Sequence, residues 1–220
     1  MDYERLRRLI DTCRDSHNRC DFDFNRGMGK LSPDTLFIDV KKLCLVQLPT
    51  PTAVFVALSY VWGDAVTFKT EQANRALLME EGVFERLKDQ IPKTIHDAMT
   101  LVRRLGFDFL WVDAFCIVQD DEEHKKKQID NMSVIYSESI LTIIALTASD
   151  AARGLAGVDN NSRPLKVVSV TENSSLSAHT QNLRVLRDSS VYKTRAWTFQ
   201  EEVMSRRRLY ITDWQYYLAC

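Results

Sequence analysis

Three groups of polar and aromatic residues stand at the ends of apolar runs, where a parallel sheet usually meets its ligands. A carboxylate there can stabilise developing positive charge, an aromatic ring can stack on a planar ligand, and an arginine can bind phosphate through paired hydrogen bonds. The candidate site residues are Ser59, Tyr60, Trp62, Gly63 and Asp64, then Asp113, Cys116 and Gln119, and finally Arg195, Trp197, Gln200 and Glu201.

The most informative spacing in these groups is that of Trp197 and Glu201, which are four positions apart. On a helix, residues i and i+4 lie on one face, so the indole and the carboxylate would face the same cleft. Two simpler interpretations stay open. Glu201 could be a surface carboxylate paired with Arg206 or Arg207, and the tryptophans could be core aromatics.

Asp113 interrupts an apolar run, and a buried charge is costly unless it is paired. This favours a role in the site over a structural role, such as capping a loop or pairing with an arginine. Cys116 and His96 could form a thiol and base pair only if the fold brought them together, and an apolar strand raises the pKa of a thiol. We therefore expect no thiol nucleophile.

The spacing Cys13-x3-His17-x2-Cys20 is typical of part of a zinc site. Zinc sites have four ligands, and no fourth one stands nearby in the sequence. We therefore predict no metal site. The stretch GMGK at 27–30 lacks the rest of a phosphate-binding loop, and no GxGxxG is present, so the sequence also predicts no nucleoside triphosphate or Rossmann site.

The elements that must position these groups begin with a strand, a helix and a strand. Ala53–Val61 and Phe109–Val118 are nearly continuous apolar runs, typical of strands buried on both faces. Between them, Thr94-x-x-Asp97 has the pattern of a capping box and opens a helix that stops at Gly106. Together they predict a right-handed βαβ unit.

Further alternation predicts an α/β fold: a doubly wound, mainly parallel sheet with helices on both faces. Beyond the first unit, the pattern predicts a helix at Glu122–Ser137, a strand at Ile140–Leu146, an inserted β-hairpin with strands at Leu165–Val170 and Leu183–Leu186, a helix at Thr198–Met204, and strands at Arg208–Ile211 and Gln215–Ala219.

Residues 1–50 are predicted to form a leader that packs on this core. It comprises an amphipathic helix at 3–20 and a strand or hairpin at 36–48, which ends at two prolines. The main domain spans 51–220. Its last apolar run, Trp214–Cys220, has no capping or turn signal, which indicates a domain taken from a longer protein.

Composition narrows the possible partners. Hydrophobic residues make up 45% of the chain, and 29 basic against 30 acidic residues leave a net charge of −1. This gives no electrostatic reason to expect nucleic acid or an anionic membrane. Five cysteines without a CxxC motif, and no apolar stretch long enough to cross a bilayer, indicate a cytoplasmic protein in a reducing compartment.

Several motifs occur together in one order along the chain. The sequence reads ALSYVWGD, IPKTIHDAM, LGFDFLWVDAFCIVQDD, MSVIYSES, RGLAG and RAWTFQEEVMSRRRLY, preceded by CRDSHNRC. This series resembles the HET domain, the cell-death effector module of fungal heterokaryon incompatibility proteins, over roughly residues 50–220. The resemblance implies a role in fungal innate immunity and programmed cell death.

HET domains in turn resemble TIR domains, which share a strand ending in a serine and aromatic pair and a helix with Trp and Glu four positions apart. This likeness implies a TIR-like or flavodoxin-like fold, with Glu201 at the position of the glutamate by which enzymatic TIR domains cleave NAD+. It implies an NAD+ glycohydrolase that uses NAD+ as substrate and needs no cofactor. The other candidate residues would bind the substrate.

The expected partners are NAD+, further copies of the chain through self-association, and an upstream sensor or accessory domain. A second hypothesis is a non-enzymatic module that signals through homotypic contacts, in which Glu201 would be structural. The two differ in one geometric expectation. For an enzyme, Glu201, Trp62 and Asp113 should line one cleft.

Overall fold

The computed structural model describes residues 1–17, 20, 30–50, 52–63, 68–159, 167–171, 174–177 and 182–220. Strands alternate with helices along most of this chain. The strands are β1 (Leu36–Asp39), β2 (Cys44–Gln47), β3 (Phe55–Ser59), β4 (Phe109–Trp111), β5 (Leu141–Ala145), β6 (Val167–Thr171), β7 (Ser174–Ser177), β8 (Arg208–Ile211) and β9 (Tyr216–Ala219).

Seven of these strands form one sheet in the order β2-β1-β4-β3-β5-β8-β9. Strand β3 pairs in parallel with β4 and β5, and β5 pairs in parallel with β8. The order of these four strands is that of the first four in a flavodoxin-like sheet, and the connections change direction at β3. The predicted α/β class and mainly parallel sheet are therefore confirmed. A ligand crevice is expected at the carboxyl ends of β3 and β5.

Nine α-helices accompany the strands in the described residues. They are α1 (Tyr3–Ser16), α2 (Gln72–Leu78), α3 (Val83–Arg86), α4 (Lys93–Arg104), α5 (Asp113–Cys116), α6 (Glu122–Asp130), α7 (Met132–Glu138), α8 (Leu183–Asp188) and α9 (Ala196–Met204). The connections from β3 to β4 and from β4 to β5 run in opposite directions. Right-handed crossovers therefore put α4 on one face of the sheet and α6 and α7 on the other, where α9 packs against α7.

Helix α4 is confirmed, and its chain leaves at Gly106 with a φ of 76°. The predicted capping box is wrong, because Pro92 occupies the N-cap and the side chains of Thr94 and Asp97 turn inward. Thr94 Oγ1 accepts a hydrogen bond from the Gly154 amide at 3.1 Å, and Asp97 Oδ2 accepts one from the Leu155 amide at 2.8 Å. These residues therefore anchor the RGLAG segment instead of the helix start.

The predicted strand Phe109–Val118 is wrong in its second half. Strand β4 ends at Trp111, and the chain turns into α5, where the Cys116 amide donates to the Val112 carbonyl at 2.7 Å. The Asp113 carboxylate accepts a hydrogen bond from the Ala114 amide at 2.8 Å, which favours the turn. A buried helical turn and a buried strand are equally apolar, so the hydrophobic run does not separate them.

Two other predicted elements differ from the structure. The segment predicted as one helix over 122–137 is divided at Asn131 into α6 and α7. The hairpin exists, but its second strand is β7, and Leu183–Leu186 lies in α8 instead. Asn182 begins this helix by accepting a hydrogen bond from the Arg184 amide at 2.9 Å, a side-chain cap that competes with extended backbone.

The N-terminal segments join the main sheet. The hairpin of β1 and β2 adds to it through antiparallel pairing of β1 with β4. Helix α1 buries Leu6 and Ile10, and Arg7 donates to the Leu105 carbonyl at 2.5 Å and lies over the Phe107 ring at 4.7 Å. No helix in the described segments is long and apolar enough to cross a membrane.

Candidate functional site

Glu201 lies on α9 and is buried against the carboxyl end of β3. Its side chain accepts a hydrogen bond from the hydroxyl of Ser59, the last residue of β3, and it is 7% exposed. The Ser59 oxygen is also 2.6 Å from the Tyr192 hydroxyl. When Glu201 is ionised it can only accept, so Ser59 donates to it and Tyr192 donates to Ser59, and a chain of hydroxyl groups ends at the carboxylate.

The environment of Glu201 favours its neutral form. The pKa of this carboxyl is raised from its ordinary value of 4.5 to about 7, chiefly by burial and also by the nearby Asp113 carboxylate, while hydrogen bonds from Ser59 and Tyr136 and the charge of Arg195 oppose the change. The described hydrogen bonds to the carboxyl come from hydroxyl groups. A carboxyl that titrates near neutrality in a crevice is typical of a functional site.

Asp113 is the second carboxyl of this region and is half-buried. It accepts a hydrogen bond from the Trp62 indole at 2.7 Å, and burial raises its pKa to about 6 against the lowering effect of that hydrogen bond and of Arg195. Arg195 in turn donates to the Tyr60 carbonyl at 2.8 Å. Asp113 and Arg195 thus hold the segment that follows β3.

A cavity of about 170 Å³ opens beside both carboxyl groups. It receives side chains from five parts of the chain, which meet at the carboxyl edge of the sheet. The lining residues are Trp62, Asp113, Ile117, Gln119, Lys125, Ile129, Met132, Arg195, Trp197 and Glu201. The geometric expectation that Glu201, Trp62 and Asp113 line one cleft is therefore met. The indole of Trp197 shares this cleft while remaining 55% exposed.

Gly63 holds the turn after β3 in place. Its φ is 58°, and a Cβ at this position would lie 2.5 Å from the Cβ of Asp150. The neighbouring Ala151 amide donates to the Trp62 carbonyl at 3.2 Å. Glycine is therefore required both by the backbone conformation and by the close approach of the segment after β5. The predicted site residue Asp64 lies outside the described residues.

Some predicted binding residues do not line the cavity. Cys116 is fully buried, the Val112 amide donates to its sulfur at 3.3 Å, and burial raises the pKa of its thiol far above the usual value. Tyr60 is buried, and Gln200 lies on α9 outside the lining. The structure thus places Cys116 in the core, where its thiol packs as a small apolar group.

Sequence reasoning missed three residues of this site. Tyr136 lies within the motif MSVIYSES but is not among the predicted site residues, and Tyr192 lies between two motifs. Their contacts with Glu201 and Ser59 depend on the packing of α9 against α7 and against the 3-10 turn Val191–Thr194. Lys125 lies in the charged first half of the predicted helix Glu122–Ser137, yet it lines the cavity. One signal could have identified it: Lys125 is four positions before Ile129 on α6, so the two share a helix face.

A larger cavity of about 600 Å³ lies elsewhere, between Phe68, the segment before α4, and Ala152. Its charged lining residues are Asp89 and Lys93, and it contains none of the predicted site residues. The smaller cavity is the better candidate because it combines two carboxyl groups of raised pKa with two indoles and two cations. Such a set can bind a planar, positively charged group and stabilise its charge.

Comparison with known proteins agrees with the motif series. The family model described as heterokaryon incompatibility protein (HET) matches residues 55–201, about two thirds of the chain. This match runs from the first residue of β3 to Glu201. Heterokaryon incompatibility protein 6, OR allele, of Neurospora crassa is 30% identical over 122 residues, which are 53% of this chain and 18% of that protein. The chain therefore corresponds to a small part of this relative. No solved structure matches.

Proposed function

Since the chain belongs to the heterokaryon incompatibility (HET) family, we propose that it acts in the cell-death response of fungal heterokaryon incompatibility by hydrolysing NAD+ to nicotinamide and ADP-ribose. The supporting observation is Glu201, a buried carboxyl whose pKa is raised to about 7, beside a cavity with two indole rings. The incompatibility role follows the family. The activity and the substrate are proposed from the geometry of the site.

Hydrolysis of NAD+ requires few catalytic groups. The bond between the ribose C1′ and the pyridinium nitrogen breaks, and its electron pair neutralises the ring, so nicotinamide leaves without a general acid. Positive charge grows on the ribose, and a carboxylate next to it stabilises this transition state. A water oxygen then bonds to C1′, and its proton passes to the Glu201 carboxylate.

The residues around Glu201 suit the nicotinamide end of the substrate. The indole of Trp62 is fixed by Asp113 and the exposed indole of Trp197 is free to stack on a planar ring, while Arg195 and Lys125 supply positive charge for the pyrophosphate. The cavity of about 170 Å³ is smaller than the roughly 300–1,000 Å³ of pockets that bury a complete ligand. The adenine end would lie outside it.

Self-association is part of this proposal, and the outer surface of α9 supports it. Phe199 is 72% exposed and Val203 is 56% exposed, and both lie on the helix that carries Glu201. Large apolar side chains in a group on a surface commonly mark a contact with another protein. A second copy that covers this helix would also extend the shallow cavity.

The direct test is nicotinamide release from NAD+ by the purified chain, measured at high protein concentration and after fusion to a tetrameric coiled coil. Glu201→Gln should lower turnover about 100-fold or more, the size expected for loss of a group that stabilises transition-state charge. Glu202→Gln is the matched control, because Glu202 is the next residue on the helix and its carboxyl contacts Arg187 and Tyr210 rather than Ser59. Absence of release from the assembled wild type would contradict the enzyme proposal.

A non-enzymatic signalling module is the second candidate, and the exposed apolar side chains of α9 favour it as much as they favour assembly of an enzyme. Expression of wild type and Glu201→Gln in a fungal host separates the two. If wild type kills the host cells and a correctly folded Glu201→Gln variant does not, the enzyme hypothesis is supported. Undiminished killing by Glu201→Gln would leave a role in contacts only.

A further inference from the structure

Four potential metal ligands from opposite ends of the chain meet at the end of α1. They are Cys13, His17, Cys20 and Cys220, and their ligand atoms all lie within 4.8 Å of one another. Among the described residues, this is the one group of three or more His, Cys, Asp or Glu side chains with such spacing. The sequence predicted no metal because a fourth ligand was missing nearby, and the fold supplies that ligand from 200 positions away.

The local structure fixes the first three ligands. Cys13 follows Leu6 and Ile10 on the buried face of α1 and is 3% exposed. The helix ends at Ser16, where the His17 amide donates to the Cys13 carbonyl at 3.1 Å and the Cys20 amide donates to the His17 carbonyl at 2.9 Å. With these hydrogen bonds in place, the ligand atoms of the three side chains lie close together.

The fourth ligand comes from the far edge of the sheet. Cys220 follows β9, whose antiparallel register pairs Ala219 with Arg208 at the start of β8. Its sulfur lies 3.3 Å from Nδ1 of His17. Strand β8 is parallel to β5 and begins at the amino ends of the parallel strands. The cluster therefore lies at the amino ends of these strands, whereas Glu201 lies next to the carboxyl end of β3. It is therefore separate from the candidate active site.

A buried arginine completes the surroundings of the cluster. Arg207 is 1% exposed, and its Nε donates to the Cys13 sulfur at 3.1 Å. A zinc-bound thiolate at Cys13 would give this buried guanidinium an anionic neighbour. Three thiolates and one imidazole around a dication carry a net charge of −1. The single positive charge of Arg207 balances it.

We propose that Cys13, His17, Cys20 and Cys220 bind one structural zinc ion that fastens α1 to the C-terminal strand. Three cysteines and one histidine form a common closed zinc site, with tetrahedral bonds of about 2.3 Å to sulfur and about 2.0 Å to nitrogen, so that ligand atoms lie roughly 3.4–3.8 Å apart. The Cys220 sulfur and His17 Nδ1 are already 3.3 Å apart, and separations of up to 4.8 Å within the cluster need a contraction of about 1 Å. Soft thiolates select zinc over magnesium or calcium.

The first experiment measures the metal in the wild-type chain purified with a reductant. Elemental analysis should find one zinc per chain, and X-ray absorption at the zinc edge should give three sulfur neighbours and one nitrogen neighbour. A disulfide among Cys13, Cys20 and Cys220, found by mass spectrometry under the same conditions, would overturn the proposal. So would a chain that remains free of zinc after incubation with zinc chloride.

Variants then assign the ligands. Cys220→Ser should lower the zinc affinity at least about 10-fold, and Cys44→Ser is the matched control because Cys44 is a buried free cysteine of β2 outside the cluster. Removing zinc with a chelator should lower the melting temperature of wild type by about 5–10 °C and leave that of Cys220→Ser nearly unchanged. Equal zinc content in Cys220→Ser and Cys44→Ser would remove Cys220 from the site.

Discussion

Two buried carboxyl groups, Asp97 on α4 and Glu201 on α9, have different surroundings. Asp97 is 1% exposed, both its oxygens lie 3.1 Å from Lys93 Nζ, and it accepts the Leu155 amide at 2.8 Å. Glu201 is similarly buried, but its described hydrogen bonds come from hydroxyl groups and a cavity opens beside it. The difference is the one expected if Asp97 serves the fold and if, as we propose, Glu201 serves chemistry.

The two carboxyl groups are also expected to contribute differently to the free energy of unfolding. A buried carboxylate with a cation and a backbone donor has its charge compensated, so it stabilises the junction between α4 and the RGLAG segment. A buried carboxyl without a contacting cation disfavours ionisation, and the folded state is less stable whenever it is charged. Such an arrangement persists where function needs it. The three variants that follow sharpen the contrast, from the largest expected effect to the smallest.

Asp97→Asn should be the most damaging to stability. Asparagine keeps the size of the side chain but removes the charge that compensates Lys93 and weakens the bond to the Leu155 amide. We expect a loss of about 2–4 kcal/mol in the free energy of unfolding. Urea unfolding at pH 8 measures it, with Glu201→Gln alongside. A Glu201→Gln variant that loses as much as Asp97→Asn would erase the contrast.

The pH dependence of stability should reveal the charge of Glu201. Below about pH 4.5 the carboxyl is protonated in both states and stability is unaffected. Between there and about pH 7 the unfolded chain has released a proton that the folded chain keeps, so the free energy of unfolding falls as pH rises. The loss amounts to about 3 kcal/mol from this group.

Glu201→Gln removes this penalty and provides the measurement. The variant should be more stable than wild type by up to about 3 kcal/mol at pH 8 and by little near pH 5. Urea unfolding at several pH values gives the difference between the two proteins, which cancels the titration of the other groups. A difference that does not change with pH would mean that Glu201 has an ordinary pKa.

Gly63→Ala should have the smallest effect on stability but should reach the cavity. The added methyl carbon meets the Asp150 Cβ, and the positive φ disfavours alanine, at a cost of about 1–2 kcal/mol. Displacement of the turn would move Trp62 away from Asp113 and change the tryptophan fluorescence. Ala152→Gly, in the neighbouring segment, tests whether loosening that segment alone has the same effect. Unchanged fluorescence in Gly63→Ala would show that the turn does not position Trp62.

The sequence predicts the sheet well because strands β3 and β5 are continuous apolar runs, and the helix between β3 and β4 has clear periodicity and a glycine stop. It fails where a pattern has two physical solutions. The residues after Trp111 would be buried either in a strand or in a helical turn, so their apolar character fits both. Leu183–Leu186 is a short segment, and the hydrogen bond of the Asn182 cap is enough to favour a helix there.

The sequence motifs predict which residues form the candidate site, but they do not predict the buried contacts behind it. Ser59 ends β3, and Trp62 and Asp113 closely follow β3 and β4, so the topology of a parallel sheet brings these residues together. Glu201 lies within the predicted helix that precedes β8. The hydroxyl of Tyr192 and the fourth ligand at Cys220 depend on contacts between segments distant in sequence. Spacing rules describe neighbours on one element, so they do not reach such contacts.

The central claim is that Glu201 carries out chemistry on NAD+, and the pH profile of nicotinamide release by the assembled chain tests it most directly. Because the carboxylate is the active form, turnover should rise with pH through about 7 and then level, and Glu201→Gln should lower it about 100-fold or more and abolish this rise. Equal turnover by Glu201→Gln and wild type at every pH would contradict the account.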